Sequence, residues 1–552
     1  MNFKVLISAI FASMIIVTGC SSSDGDGGTG GGEGGAGGDA GGGGNGGDGG
    51  PVVPKTCDDV PAEVTGYIIE GAPPTATDDC DLTLNPTGDN DQAQIIEALV
   101  DNNLTDGALC LGVGRWDMGG TVTITDDPGL TLKGIGDSPA DVVLDFADEN
   151  GDCRGTKGIN AGVNNVTVEN LHVKNTCENG IEQRNTEGSV MRKVIVSWDD
   201  RCDRPNPPAE CDEPCAPREC DEASANAGDP CDNDTGCTDG TCVDVDVLCG
   251  DDERLVCSTQ LDGGTSGTCV GNMTLNGAYG IYPTDCTNTT VEYSQAQGAS
   301  DAGIYIGKCT GGTVENNIVY ENVAGLEVEN CVGVDASDNI AFDNVGGVFA
   351  LQQDISGSMQ SNTDVRIFSN ETYCNNRPNF AKPGSAVAGI PVGTGLLSFA
   401  GDGVEIFDNI ITDNLTLGIG MASNILNCQV SGGDCPPYND GYDPFVKNNY
   451  VHSNVFTNNG TDPQGLFGTL FKVLGFGVPG NPLPEVVWDG YTENPGDVGL
   501  CLGTDAEAAA TVLVIGNECQ TPIDPPLEDY IACAQENNST DQTPFLCEPS
   551  PE

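Results

Sequence analysis

The residues whose types and spacing could do chemistry are Glu182, Arg184, Tyr282, Tyr305, Glu327, Glu329 and Phe349. Each lies two or four residues after a glycine that is followed by an aliphatic residue and a short alternating run. Strand side chains alternate between faces, so an inward aliphatic residue sends these side chains outward. If the runs stack as successive strands, about 4.8 Å apart, the outward residues form a continuous exposed face of rings and carboxylates. Such a face suits sugar rings, through stacking on aromatics and hydrogen bonds to hydroxyls. Tyr282, Tyr305, Glu327 and Phe349, with the neighbouring Asp301, are therefore the expected ligand-binding residues, and polysaccharide is the expected ligand.

Catalysis on a polysaccharide asks for more. A lyase or epimerase pairs a base with a charge neutraliser such as Ca2+ or arginine, and a hydrolase pairs two carboxyl groups as acid and base or nucleophile. Glu182, Arg184, Glu327 and Glu329 could supply these roles, as could Asp199 and Asp200 in the string Trp198-Asp199-Asp200-Arg201. Spacing does not choose among them. The histidines, His172 and His452, sit between apolar strand positions on separate units and read as wall residues rather than a catalytic pair. Acidic loops such as 229–239 could attract Ca2+, but the EF-hand spacing is missing, so no metal site and no cofactor are expected.

The elements that must position these residues follow from the repeat. Gly158-Ile159 and Gly180-Ile181 are 22 residues apart, and Gly280-Ile281, Gly303-Ile304, Gly325-Leu326 and Gly347-Val348 recur at steps of 23, 22 and 22. Gly395-Leu396 and Gly418-Ile419 continue the series after longer loops. A second strand in each unit ends on asparagine, with another five residues on: Asn170 and Asn175, Asn317 and Asn322, Asn339 and Asn344, Asn370 and Asn375, Asn409 and Asn414, Asn449 and Asn454. Asparagine tolerates left-handed backbone, and its amide can bond to its copy one coil away, so these pairs predict two ladders at the turns of stacked coils. The fold class is all-β: a right-handed parallel β-helix solenoid, with coils over 151–460 and first coils within 57–150. Asp91 to Leu99 carries apolar residues at helical spacing and predicts an N-terminal helical cap, which covers the exposed edge of the first coil.

Between Gly180 and Gly280 the chain carries about 77 residues more than one coil, with ten cysteines from Cys202 to Cys269. This insertion, 200–273, is too polar for its own core and reads as disulfide-stapled. Cys286, Cys309 and Cys331 fall six residues after their glycines, so they should stack on consecutive coils; one pair could bridge and leave the third as an odd thiol. Cys501, Cys519, Cys533 and Cys547 suggest two disulfides in a C-terminal cap, 461–552.

The N-terminus predicts export. Lys4 precedes the apolar run Val5 to Val17, and Val17-Thr18-Gly19-Cys20 ends it as a bacterial lipobox would, making 1–19 a signal peptide and Cys20 the lipidated residue. The Gly-rich stretch that follows makes 20–56 a flexible tether. The lipid is then the only membrane attachment, at the outer membrane or cell surface. A net charge of −64 argues against nucleic acid as a partner.

Two strings, Asn276-Gly277-Ala278-Tyr279-Gly280-Ile281-Tyr282-Pro283 and Gly298-Ala299-Ser300-Asp301-Ala302-Gly303-Ile304-Tyr305-Ile306-Gly307, resemble a family of bacterial parallel β-helix repeat lipoproteins. So do Asn322 to Asn330, Asn379 to Gly384, Pro391 to Gly395 and Val404 to Phe407. The resemblance spans roughly 90–500 apart from the insertion. It implies the fold and an envelope address but no established activity. Genes of that family often stand beside one for an exported dihaem c-type cytochrome, which implies such a cytochrome as a partner. More distantly the coils resemble pectin-lyase-like proteins and β-helices that bind or process carbohydrate.

Overall fold

Each of the two residues that open a coil has a visible job. The aliphatic residues stack in register from coil to coil as Ile281, Ile304, Leu326, Val348, Leu396 and Ile419, all fully buried. A Cβ on the preceding glycine would press into the next coil's glycine carbonyl, 2.3 Å away at Gly280, 2.6 Å at Gly325 and 2.4 Å at Gly347. Glycine recurs there because adjacent coils leave no room for a methyl group.

The computed structural model describes residues 54–200 and 269–515, except 62–63, 76–78, 356–361, 426–437, 440, 494–498 and 504–510, with scattered positions in 202–257 and 533–547. The expected leader, Cys20, nearly all of the tether and most of the insertion lie outside the described residues. Among those described, the strands that follow the glycines make an 11-stranded parallel sheet from Val122–Ile124 to Val512–Val514. The other strands join a 21-stranded sheet that bends within the coils, as between Thr287–Glu292 and Gln295–Gln297. Pairing within both sheets is parallel, so the chain folds as the expected β-helix.

The asparagine ladders are present, with a corrected phase. Asn317, Asn339, Asn370, Asn409 and Asn454 are linked amide to amide at 2.9–3.0 Å. Asn322, Asn344, Asn375, Asn414 and Asn459 form the second ladder at 2.9–3.2 Å. The left-handed residue is the one before each ladder asparagine: Asn316, Asp338, Ser369, Asp408 and Ser453 at one corner, Glu321, Asp343, Cys374, Asp413 and Asn458 at the next. The turn points the following side chain inward, where its amide can reach the next coil. The last pair is Asn454 with Asn459, because pairing of Tyr450 with Glu405 and His452 with Phe407 brings Asn454 against Asn409. Asn449 instead donates to Ser398 Oγ at 3.1 Å. Asn170 and Asn175 are themselves left-handed and bond to the Gly134 carbonyl and to Asp145, outside the ladders.

The helix Gln92–Asp101 buries Ile95, Ala98 and Leu99 in the main core beside the first coils. Cys286 and Cys309 are bridged, and Cys331 is a buried free thiol. In the insertion, Cys202–Cys211 is a disulfide and short antiparallel pairs join Glu219–Cys220 to Cys242–Val243 and Leu255–Cys257 to Cys269–Gly271. Cys501–Cys547 fastens the final strand.

One element was not anticipated. The described residues between Lys55 and Cys80 form a strap along the outside of the larger sheet, running against the order of the coils. Lys55 pairs with Glu371 at 3.0 Å, the Tyr67 hydroxyl donates to the Tyr293 carbonyl at 2.7 Å, and Thr75 Oγ1 meets Lys193 at 3.1 Å. Val60, Val64 and Ile69 cover the stacked rings of Tyr320, Phe342 and Tyr373, and disulfides Cys57–Cys374 and Cys80–Cys110 hold both ends.

Replacing Asn339 by alanine removes a buried amide bonded to both neighbouring ladder residues and to the Val314 carbonyl. Leaving these groups unpaired should cost about 2 kcal/mol or more, seen as a lower denaturant midpoint with an unchanged slope.

Candidate functional site

The outward column stands in register as expected: Tyr282 lies beside Glu182, Tyr305 beside Glu327, and Glu327 beside Phe349. Its exposure does not match expectation. Glu182 is 2 % exposed, Tyr305 4 %, Glu327 1 %, Glu329 6 % and Phe349 0 %. The cover is the loop around Ala386–Gly389, whose Ile390 packs against the Tyr305, Phe349, Leu351 and Leu397 cluster. Val387 and Phe380 of the same loop are anchored on Val323 and Val345. The loop covers most of the face and leaves a cleft edge where Tyr279, Tyr282 and Asp301 are half-buried and Arg184 is exposed.

The rings also differ from a stacking platform. Tyr279 and Tyr282 stack with centroids 4.4 Å apart, and Tyr305 lies 4.7 Å from Tyr282 and 5.1 Å from Tyr279. Their faces are largely spent on one another, so they present edges and hydroxyls.

Behind them lies a buried carboxyl cluster. The Tyr305 hydroxyl donates to Glu329 Oε1 at 2.8 Å, while Glu327 Oε1 is buried with no hydrogen-bond partner. Burial, then the nearby Glu329 charge, pushes Asp301 up to about 7. Burial together with Asp301 and Glu329 raises Glu327 well above the usual carboxyl range. Burial also raises Glu329, against the pull of the Tyr305 hydrogen bond. Three like groups in a dry site do not all ionise at neutral pH, so the cluster holds protons. Glu182 stands apart, tied to Lys157 at 2.6 Å, Asn179 at 2.7 Å and Arg184 at 3.3 Å. Arg184 also reaches Asp285 at 3.5 Å.

Sequence reasoning missed Tyr279, Lys157 and Asn179. Tyr279 stands one residue before Gly280 and pairs with Ala302, so its position in the unit was a readable signal. Lys157 and Asn179 hold the same place before Gly158 and Gly180 and pair with each other.

Asp199 and Asp200 do not join this site. They line a cleft of about 550 Å³ on the larger sheet, with His172, Lys174, Ser197 and Gln297. Asp199 is 2.6 Å from Lys174, and Asp200 Oδ1 accepts from the Cys202 and Gly271 amides at 2.8 and 3.0 Å. Burial, with Lys174 beside it, holds His172 down at about 3, so its imidazole is neutral; Nε2 lies 2.7 Å from Ser197 Oγ. His452 stacks on Phe407 at 5.0 Å and bonds Glu405 at 3.1 Å. The two histidines stand on well-separated coils, pairing with Val143 and Phe407 respectively.

Residues 261–364 match a family model described as a right-handed β-helix region, in keeping with the parallel coils seen here. No curated protein sequence matches the chain. Among solved structures, the A-module of the Azotobacter vinelandii mannuronan C-5 epimerase AlgE4 is similar at 13 % identity, over 74 % of this chain and 94 % of that one, with a TM-score of 0.40. The catalytic unit of the GH87 α-1,3-glucanase from Streptomyces thermodiastaticus is similar at 11 % identity, over 79 % of this chain and 54 % of that one, with a TM-score of 0.37. Pectate lyase Pel9A is similar at 10 % identity, over 69 % and 78 %, with a TM-score of 0.32. The class is thus a parallel β-helix, and the reading of its site rests on the geometry above.

A group whose folded pKa is raised stabilises the fold fully below its unfolded pKa and loses that contribution as pH rises through the folded value. For Asp301 the loss falls between about 4 and about 7. Melting temperature should therefore decline from pH 5 to pH 8, and Asp301→Asn should flatten the decline, melting a few degrees above the parent at pH 8. Parallel curves for parent and variant would show that Asp301 is ionised throughout.

Proposed function

We propose that this protein binds polysaccharide at the open edge of the tyrosine–carboxyl cleft, in the cell envelope, attached through lipid on Cys20. The observation that carries this reading is the meeting of Tyr279, Tyr282 and Asp301 at the mouth of the cleft, with Arg184 beside them and Glu327 and Glu329 behind. Tyrosine hydroxyls and carboxyl groups of mixed protonation offer donors and acceptors together, which is what sugar hydroxyls require. The chain's charge of −64 repels polyanions at long range, so neutral or lightly charged glycans are favoured.

A second reading is favoured by one feature, the protonation of the cluster. A carboxyl group that titrates near 7 beside one kept protonated supplies a base and an acid. Those are the groups that glycosidic cleavage needs.

A glycan panel on the soluble chain tests both readings. Tyr282→Ala should weaken binding at least about tenfold with melting unchanged. Unchanged binding in that variant, or a parent that binds no glycan, would overturn the proposal. If the cleft cleaves its ligand, new reducing ends or unsaturated uronates appear with the parent and disappear in Asp301→Asn.

A further inference from the structure

We infer that the cleft on the larger sheet is a second ligand site, and that its ligand is a neutral saccharide of two or three rings. At about 550 Å³ it falls inside the range of small-molecule sites. Three of its sides are built: the larger sheet forms the floor, the strap at Val64 to Gly66 one wall, and the root of the insertion at Gly271 to Met273 another. The Cys57–Cys374 disulfide and the Gln295 bond to the Gly66 carbonyl, 3.0 Å, hold the strap in place.

The class of ligand follows from the charges. Lys174 is paired with Asp199 at 2.6 Å. Arg377 is paired with Glu321 at 2.9 Å and Asp343 at 2.6 Å. Asp200 accepts two backbone amides, and Gln297 donates to Glu321 at 2.6 Å. An anion would have to compete with Asp199 for Lys174 or with Glu321 and Asp343 for Arg377, and a cation with Lys174 and Arg377 for those carboxylates, in pairs that are only partly exposed. A neutral polyhydroxyl ligand can add hydrogen bonds to the same groups without displacing any. His172 offers such a place: Nε2 is engaged with Ser197, while Nδ1 makes no hydrogen bond among the described residues. The Ser197–His172 pair does not read as a nucleophile with its base, because burial, and then Lys174, disfavour the imidazolium that proton transfer would create. Trp198 gives the cleft an aromatic border, with its indole N–H donated to the Thr176 carbonyl at 2.7 Å.

The test is titration of the folded, oxidised chain with maltotriose, cellotriose and chitotriose, followed by tryptophan emission. Trp198 borders the cleft, whereas Trp116 and Trp488 are fully buried. At least one sugar should give a saturable change that survives Tyr282→Ala and weakens about tenfold in His172→Leu. Gln297→Leu, which alters the cleft without touching the imidazole, should weaken it as well and stands in if the histidine variant does not fold. No saturable change with any of the three, a change abolished by Tyr282→Ala, or a change that both cleft variants leave intact would each overturn the inference. So would a response to glutamate or lysine in place of the sugars.

Discussion

The structure depends on the closeness of one coil to the next. Strands in a parallel sheet lie about 4.8 Å apart, and here that spacing is kept at the corners too, where the backbone amides of Asn317 and Asn322 bond to the next coil's side chains rather than to its carbonyls. The asparagine amides fill that gap: each donates to the copy on the next coil and accepts from the one before. The same closeness explains the glycines, whose hydrogens face a carbonyl oxygen 2.3–2.9 Å from where a Cβ would be. It also decides what the outer columns can be. Side chains at one position on neighbouring coils must touch, so tyrosines gather into a packed group and carboxyl groups are forced together.

Function is therefore built from crowding. On an open strand Asp301, Glu327 and Glu329 would be ordinary ionised carboxylates. Stacked and covered by the loop around Ile390, they become a shared reservoir of protons beside three phenols. The cost of burying such groups is carried by the stack around them, and sites that hold strained electrostatics in this way are usually where ligands meet a protein. The larger sheet offers a contrast. There the charges come in satisfied pairs, and its cleft owes its shape to the strap and to the root of the insertion.

Much of this was legible in the sequence. The steps of 22 and 23 residues gave the coil, the aliphatic residue after each glycine gave the inward phase, and the cysteines six residues on predicted one bridge and one odd thiol, which are Cys286–Cys309 and Cys331. Members of the outward column were also correctly named. Their exposure was not readable, because the residues that cover them lie in the loop 376–393, which follows no repeat and packs through contacts far along the chain. For the same reason the strap went unseen: Cys57 meets Cys374 across a separation of 317 residues, and nothing local marks that partnership. Asp199 and Asp200 stood as an alternative to Glu182 that spacing could not choose between, and strands on different sheets carry the two sets to different faces. The ladder phase was misread at Asn449 because the five-residue spacing fits two registers, and only strand pairing chooses between them.

The tyrosine-lined cleft holds a proton-sharing carboxyl cluster at the edge proposed to bind glycan. Carbon-13 NMR of selectively labelled aspartate and glutamate side chains, assigned with Asp301→Asn and Glu327→Gln, tests it most directly. The account predicts that Asp301 titrates near 7, that Glu327 is still protonated at neutral pH, and that a bound glycan moves the Asp301 resonance. Titration of both groups in the ordinary carboxyl range near 4, with no response to glycan, would contradict it.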